Sequence, residues 1–264
     1  MLPTDPAALP LLHDGRIEIA GRIMDASNAT LFCTVQYDGV SAECVYKPIR
    51  GERPLWDFPH GTLAGREVAS WLLSEATGWS LVPPTVLRTG PLGPGMVQLW
   101  VDTEHDRELV DVVPVDAVPA GWCQVLQAHD RWGEPVLLVH ADTEEVRRLA
   151  VLDVLLNNAD RKGGHVLAGL DGTVYGVDHG ICLHHEDKLR TVLWGFLGES
   201  LPAAVLSVVR RVRSELDTTL GAALTEHLTR AELTALRART DRLLATETFP
   251  APNGAWPAIP WPAF

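Results

Sequence analysis

Asp160 and Asp178 sit in two short segments, Asn158-Ala159-Asp160-Arg161-Lys162-Gly163-Gly164-His165 and Gly176-Val177-Asp178-His179-Gly180, which hold the side chains best suited to chemistry in this chain. An apolar stretch and an Asp171-Gly172 turn join them, a pattern that predicts a short hairpin returning Asp178 toward Asp160. Two carboxylates at the two ends of a hairpin suit phosphoryl transfer. The first can accept the proton of an attacking hydroxyl; the second, with a side chain five residues after the first, can hold the divalent ion that travels with ATP. Alone, Asp160 would read as a loop or cap residue and Asp178-His179-Gly180 as a common turn, so the pairing carries the weight. His165 occupies the fifth position, where an imidazole favours Mn²⁺ more than an all-oxygen site would, leaving Mg²⁺ or Mn²⁺ as the expected metal.

The same chemistry needs a cation on the nucleotide phosphates. Lys47 ends the apolar run Cys44-Val45-Tyr46 and precedes Pro48. Many strand-ending lysines are solvated edge residues. Here a helix follows with one inward acid, Glu67, so Lys47 can reach the α- and β-phosphates while Glu67 holds it. The small, polar stretch 24–30 suits a tight turn with outward N–H groups, which makes Ser27 and Asn28 candidates for phosphate contact. Neither G-x-x-x-x-G-K-[ST] nor G-x-G-x-x-G occurs. Asp153 falls on the apolar face of the helix before Asp160, a costly place for a carboxylate unless it is hydrogen-bonded, and it is expected to brace residues 158–160. Asp160, His165, Asp178 and His179 would alternatively serve a metal-dependent hydrolase. Against that, the histidines lack H-E-x-x-H spacing, and the adjacent His184 and His185 would point to opposite faces of a strand.

The elements that must position these groups follow from periodicity. Strands are expected at 16–23, 31–37 and 42–47, with a turn at Asp38-Gly39, and further strands at 85–88 and 96–101. A helix is expected at 63–76, with Ala64, Val68, Trp71 and Leu72 on one face. Residues 102–130 read as an acidic, irregular linker. Asp142-Thr143-Glu144-Glu145 opens a helix that stops at Asn157-Asn158 and delivers Asp160. Strands at 165–168 and 173–177 frame the hairpin, and helices follow at 202–220 and 230–246. The Pro- and Trp-rich stretch 249–264 is expected to lie as an extended strap on the surface.

Bulk composition narrows the partners. The chain of 264 residues is 46% hydrophobic and 21% charged, enough for one large domain or two packed lobes. A formal net charge of −12 at pH 7 argues against nucleic acid, whose phosphates require a basic patch, and against anionic membrane surfaces. No stretch has the apolar length of a membrane span and the first residues lack a secretory pattern, so a cytoplasmic protein without an integral membrane segment is expected. Cys33, Cys44, Cys123 and Cys182 are scattered without C-x-x-C spacing, as suits reduced thiols.

The run Leu152-Asp153-Val154-Leu155-Leu156-Asn157-Asn158-Ala159-Asp160-Arg161, with Asp178-His179-Gly180 downstream, resembles the catalytic and metal-binding loops of the phosphatidylinositol 3/4-kinase-like atypical kinase superfamily. The likeness is strongest to the type II phosphatidylinositol 4-kinases and the short bacterial proteins similar to them. The resemblance implies an α+β, two-lobed protein-kinase-like fold. Residues 1–101 would form an N-lobe of antiparallel sheet plus helix, and 102–264 a mainly helical C-lobe. It implies ATP in the cleft, Lys47 on its phosphates with Glu67 as helix partner, Asp160 as catalytic Asp, Asp178 as metal ligand, and Gln98, Leu99 and Val101 along the adenine. The family's Asn at the fifth position after the catalytic Asp is His165 here, and the glycines of the phosphate-covering loop are absent. No basic amphipathic or cysteine-rich lipid-docking segment is present. The expectation is γ-phosphoryl transfer to an unknown hydroxyl acceptor, a protein, the chain itself or a small molecule before a lipid. A nucleotide-binding pseudokinase is the nearest alternative.

Overall fold

The computed structural model describes residues 1–23, 28–58, 62–104 and 106–264. A short helix α1 (Ala8–Asp14) precedes strands β1 (Arg16–Arg22), β2 (Leu31–Tyr37) and β3 (Val40–Pro48). After helix α2 (Leu63–Thr77) come β4 (Thr85–Gly90) and β5 (Gly93–Leu99), giving an antiparallel five-stranded sheet in the order β1-β2-β3-β5-β4. Its inner face is made by alternate residues such as Cys33, Val35, Cys44, Tyr46 and Val97, against which Leu11 and Leu12 of α1 pack. Lys47 lies beside Met96 in the β3–β5 ladder, one residue from the end of β3, so a central strand fixes its position.

The start of α2 is specified locally. The Thr62 hydroxyl accepts the Gly65 N–H at 2.9 Å, and Glu52 takes the Leu63 and Ala64 N–H groups, placing an acid at the positive helix end. Gly78, at φ 70°, closes the helix in the left-handed conformation that glycine adopts without strain.

Residues 102–130, expected to be an irregular linker, instead contribute β6 (Val110–Pro114) and β7 (Trp122–His129), which flank β8 (Pro135–Ala141) in an antiparallel sheet. The edge strands are mostly polar or half-exposed, so their own pattern is weak. Their partner is the apolar β8, which lies beyond the window.

Helix α3 (Glu144–Leu156) follows, capped by Thr143 and ended by Asn157 at φ 50°. The hairpin β9 (Val166–Ala168) and β10 (Val174–Gly176) comes next, then α4 (Ala203–Glu215), α5 (Thr219–Leu224) and α6 (Arg230–Thr246). The helix expected over 202–220 breaks at residues 216–218, where Asp217 accepts from both Arg213 and Arg237 and the β-branched Thr218 and Thr219 are weak helix formers. The larger core joins α2, α3, the hairpin and α4 to α6. Residues 249–264 form neither strand nor helix and run along this body. The architecture is an α+β, two-lobed kinase-like fold, with an antiparallel sheet in the N-terminal part and mainly helices in the C-terminal part.

Candidate active site

Lys47 Nζ lies 2.6 Å from Glu67 Oε1 and 2.7 Å from Asp178 Oδ1, so one ammonium joins the sheet, α2 and the loop after β10. Glu67 is buried, and its second oxygen accepts the His179 N–H at 2.9 Å. Burial alone would lower the Lys47 pKa, but Asp178 and Glu67 outweigh it and hold the ammonium above its ordinary value. Burial pushes the Glu67 carboxyl up, against the pull of Lys47. Lys47 holds Asp178 well below the usual carboxylate range. Asp178 itself adopts φ 59°, a left-handed conformation that Asp tolerates better than most residues and that swings its carboxylate toward Lys47.

His165 faces the other oxygen of Asp178. Its Nε2 is 3.6 Å from Asp178 Oδ2, and its Nδ1 is 3.2 Å from the Asp160 carbonyl oxygen. Burial depresses the imidazole to about 4, so it is neutral at pH 7. A neutral ring donating Nδ1–H to that carbonyl turns the bare Nε2 lone pair toward a carboxylate oxygen. Two electron-pair donors then face each other with no proton between them.

Asp160 completes the group from the opposite loop. Its side chain is 3.5 Å from Lys162 Nζ, and its N–H donates to Asn158 Oδ1. Burial raises its pKa, with Lys162 opposing. Beneath the loop, Arg161 is fully buried and bonds to Asp153, to the carbonyls of His165 and Val177, and to His179 Nε2 at 2.6 Å. Asp153 also accepts from Asn158 Nδ2 and Thr191 Oγ1. It therefore braces the loop through side chains, with Arg161 tying the segment carrying Asp160 to the one carrying Asp178. His179 Nε2 accepts from this guanidinium, so that nitrogen is engaged within the loop, while the buried Nδ1 has no hydrogen-bond partner among the described residues. Among the described residues, no group of three or more His, Cys, Asp or Glu is arranged to hold a metal.

Of the other expected nucleotide-binding residues, Gln98 and Leu99 lie on β5, which pairs with the strand carrying Lys47. Asn28 accepts the Arg53 N–H, and Ser27 lies outside the described residues. Gln98 gives its amide to Thr85, and the Leu99 N–H bonds to the Pro84 carbonyl, while Val101 is beyond the end of β5. Two features had no single-residue signal in the sequence. Arg66, next to Glu67 but turned away from it, pairs with the buried Glu232 of α6 and donates to the Cys182 carbonyl. Gly163 donates its N–H to the Ala263 carbonyl at 2.8 Å, and the Phe264 ring covers its α-carbon so closely that a Cβ there would come within 2.2 Å.

No family model matches the chain. It is 51% identical over 263 residues to Protein Rv2133c of Mycobacterium tuberculosis, a match covering 96% of this chain and 94% of that protein. The chain belongs to the Rv2133c family. Outside that close relationship, this member of the Rv2133c family is 25% identical over 240 residues to Phosphatidylinositol 4-kinase gamma 4 of Oryza sativa, covering 70% of the chain and 38% of that protein. The Phosphatidylinositol 4-kinase gamma 4 of Arabidopsis thaliana is 29% identical over 149 residues, covering 51% and 24%. The chain thus spans well under half the length of either plant protein. The crystal structure of the Golgi casein kinase superposes with a TM-score of 0.52 at 13% identity, over 90% of this chain and 72% of that one. Together these place the Rv2133c-family chain in the kinase-like superfamily. Among the described residues, no helix is long and apolar enough to cross a membrane.

Proposed function

We propose that this protein is an ATP-dependent phosphotransferase, related to the phosphatidylinositol 4-kinases, that moves the γ-phosphoryl group to a hydroxyl acceptor. The observation that carries the reading is the Lys47 ammonium joined to Glu67 and Asp178, with Asp160 and His165 across the same hairpin. Lys47 presents its charge to the nucleotide phosphates, and Glu67 fixes its direction. Asp160 orients the acceptor hydroxyl. As the acceptor oxygen bonds to the γ-phosphorus, the bond from that phosphorus to the β–γ bridging oxygen breaks, ADP leaves with the electron pair, and the hydroxyl proton passes to Asp160. Burial of Asp160 raises its affinity for that proton.

The facing donors on His165 and Asp178 fit a divalent ion carried by the nucleotide, whose phosphates and waters would supply the other ligands. Held by His165 and Asp178, Mg²⁺ or Mn²⁺ would supply positive charge against that developing on the phosphoryl oxygens. The net charge of −12 favours a protein, the chain itself or a small molecule as acceptor over a lipid in an anionic membrane.

The test is phosphate release and transfer from γ-labelled ATP in Mg²⁺ and in Mn²⁺. We expect Asp160→Asn to lower turnover by about 10²-fold or more, the scale of a general base, while ATP affinity is kept. A wild-type protein that binds ATP but neither hydrolyses nor transfers it with either metal would instead be a nucleotide-binding pseudokinase.

A further inference from the structure

Arg190 makes no side-chain hydrogen bond or ion pair among the described residues, and its buried Nε has no partner. A guanidinium offers five N–H donors, and buried polar atoms of folded proteins nearly always find acceptors. Its backbone, by contrast, is pinned. The Arg190 N–H donates to the Asn158 carbonyl at 2.8 Å, and the Arg190 carbonyl accepts the Arg161 N–H at 3.1 Å. Arg190 therefore runs alongside the loop that carries Asp160.

Two further observations orient the group. Its guanidinium carbon lies 5.7 Å from the centre of the Trp256 ring, which Lys188 Nζ approaches to 4.2 Å. Lys188 is already neutralised by Asp57 at 3.0 Å and Glu186 at 3.6 Å, whereas Arg190 has no acid of its own. Lys162 stands 3.5 Å from Asp160, and both Lys162 and Arg190 act on that carboxyl to lower its pKa. Asp178 acts on the same carboxyl in the opposite sense, and Lys162 is engaged with Asp160, which leaves Arg190 as the cation here without a carboxylate in bonding contact among the described residues.

We infer that Arg190, held by its backbone against the loop that carries Asp160 and Lys162 and set near the Trp256 ring, is an oxyanion receptor, and that the hydroxyl compound phosphorylated here carries a phosphate or carboxylate group of its own. The planar fork of arginine matches such a group through two parallel N–H···O bonds. With the anion on Arg190, the hydroxyl of the same molecule is presented to Asp160. That last placement rests on the phosphotransferase reading; the anion site does not.

Binding of inorganic phosphate, measured by titration calorimetry with the nucleotide site filled by ADP and Mg²⁺, tests the receptor directly. We expect saturable binding to the wild type, weakened tenfold or more by Arg190→Gln and less by Arg190→Lys, which keeps the charge and loses the fork, with unfolding midpoints unchanged because the backbone bonds of residue 190 remain. Equal phosphate affinity in wild type and Arg190→Gln would overturn the inference, as would an Arg190→Gln variant that loses ADP affinity instead, since the guanidinium would then serve the nucleotide. Glycerol 3-phosphate in solution and phosphatidylcholine vesicles doped with phosphatidic acid separate the two sources of the anion: Arg190-dependent binding of the first assigns a soluble acceptor, and of the vesicles alone a lipid headgroup. If phosphate binds as expected but no ATP is turned over, the phosphotransferase reading fails and the receptor stands.

Discussion

Replacing Lys47 with methionine removes the cation shared by Glu67 and Asp178 while keeping the length of the side chain. The Glu67 side chain is only 2% exposed, so the variant strands a carboxylate in the interior with the His179 N–H as its remaining donor. Removing one partner of a buried ion pair costs about 3–5 kcal/mol. Asp178, with a side chain 48% exposed, recovers water and adds little, so the lower end, about 3 kcal/mol, is expected at pH 8. The loss should depend on pH in a defined direction. Burial already raises the Glu67 pKa, and without Lys47 it rises further. A raised carboxyl pKa means the folded state binds the proton more tightly than the unfolded chain, so the penalty is small below the unfolded value and grows as pH rises through the folded one. Urea unfolding of Lys47→Met at pH 5 and pH 8, followed by tryptophan fluorescence, measures both quantities. Adding Glu67→Gln, which keeps an oxygen for the His179 N–H, should return about 2 kcal/mol of the loss at pH 8, the cost of the stranded charge. A Lys47→Met penalty that is the same at both pH values, and that Glu67→Gln does not relieve, would refute the electrostatic account of this cluster.

Arg161→Lys keeps a charge but cannot reach Asp153, His179 and two carbonyls at once; a loss of about 3 kcal/mol in denaturant unfolding is expected, together with loss of ATP turnover. His165, lowered by burial from 6.5 to about 4, is neutral in the folded protein and charged in the unfolded chain between those values, so it withdraws stability as pH falls. In EDTA, His165→Gln should flatten the stability profile between pH 7 and pH 4 by about 2 kcal/mol at pH 5. Gly163→Ala should push the Phe264 ring away, lowering stability by about 1 kcal/mol and speeding elastase cleavage after Ala255 or Ala258; unchanged cleavage would show that the ring does not hold the strap.

Much of the scaffold is legible from local rules. The alternation in β2 and β3 marks a half-buried sheet, and Thr229 with Glu232 writes a capping box at the start of α6, where helix and expectation coincide at Arg230–Thr246. The order Lys47, Glu67, Asp160, Asp178 points to one cluster because each residue ends or faces an element whose type is readable, and the structure brings all four side chains to one place. The missed parts depend on distant partners. Strands β6 and β7 carry little pattern of their own and take their form from β8. Arg161 looks like a solvated loop residue until Asp153 and His179 close around it, and Arg66 reads as a polar helix residue although it is among the most deeply buried side chains. For buried cations, sequence shows the charge and conceals the acceptor, since that acceptor is chosen by tertiary packing.

The ion pair between Arg66 and Glu232 spans 166 residues of chain. Glu67, the partner of Lys47, is carried by the same helix, and that helix is fastened to α6 by a residue translated much later. The Ala263 carbonyl likewise closes on Gly163 long after the loop carrying Asp160 has been made. On the ribosome the sheet can form early, while α2 and the loop carrying Asp160 gain these two contacts after α6 and the strap have emerged. A nascent or shortened chain without α6 would retain the acids and the lysine in its sequence and lack the anchor that sets the helix, a built-in delay between making the residues of the site and assembling them.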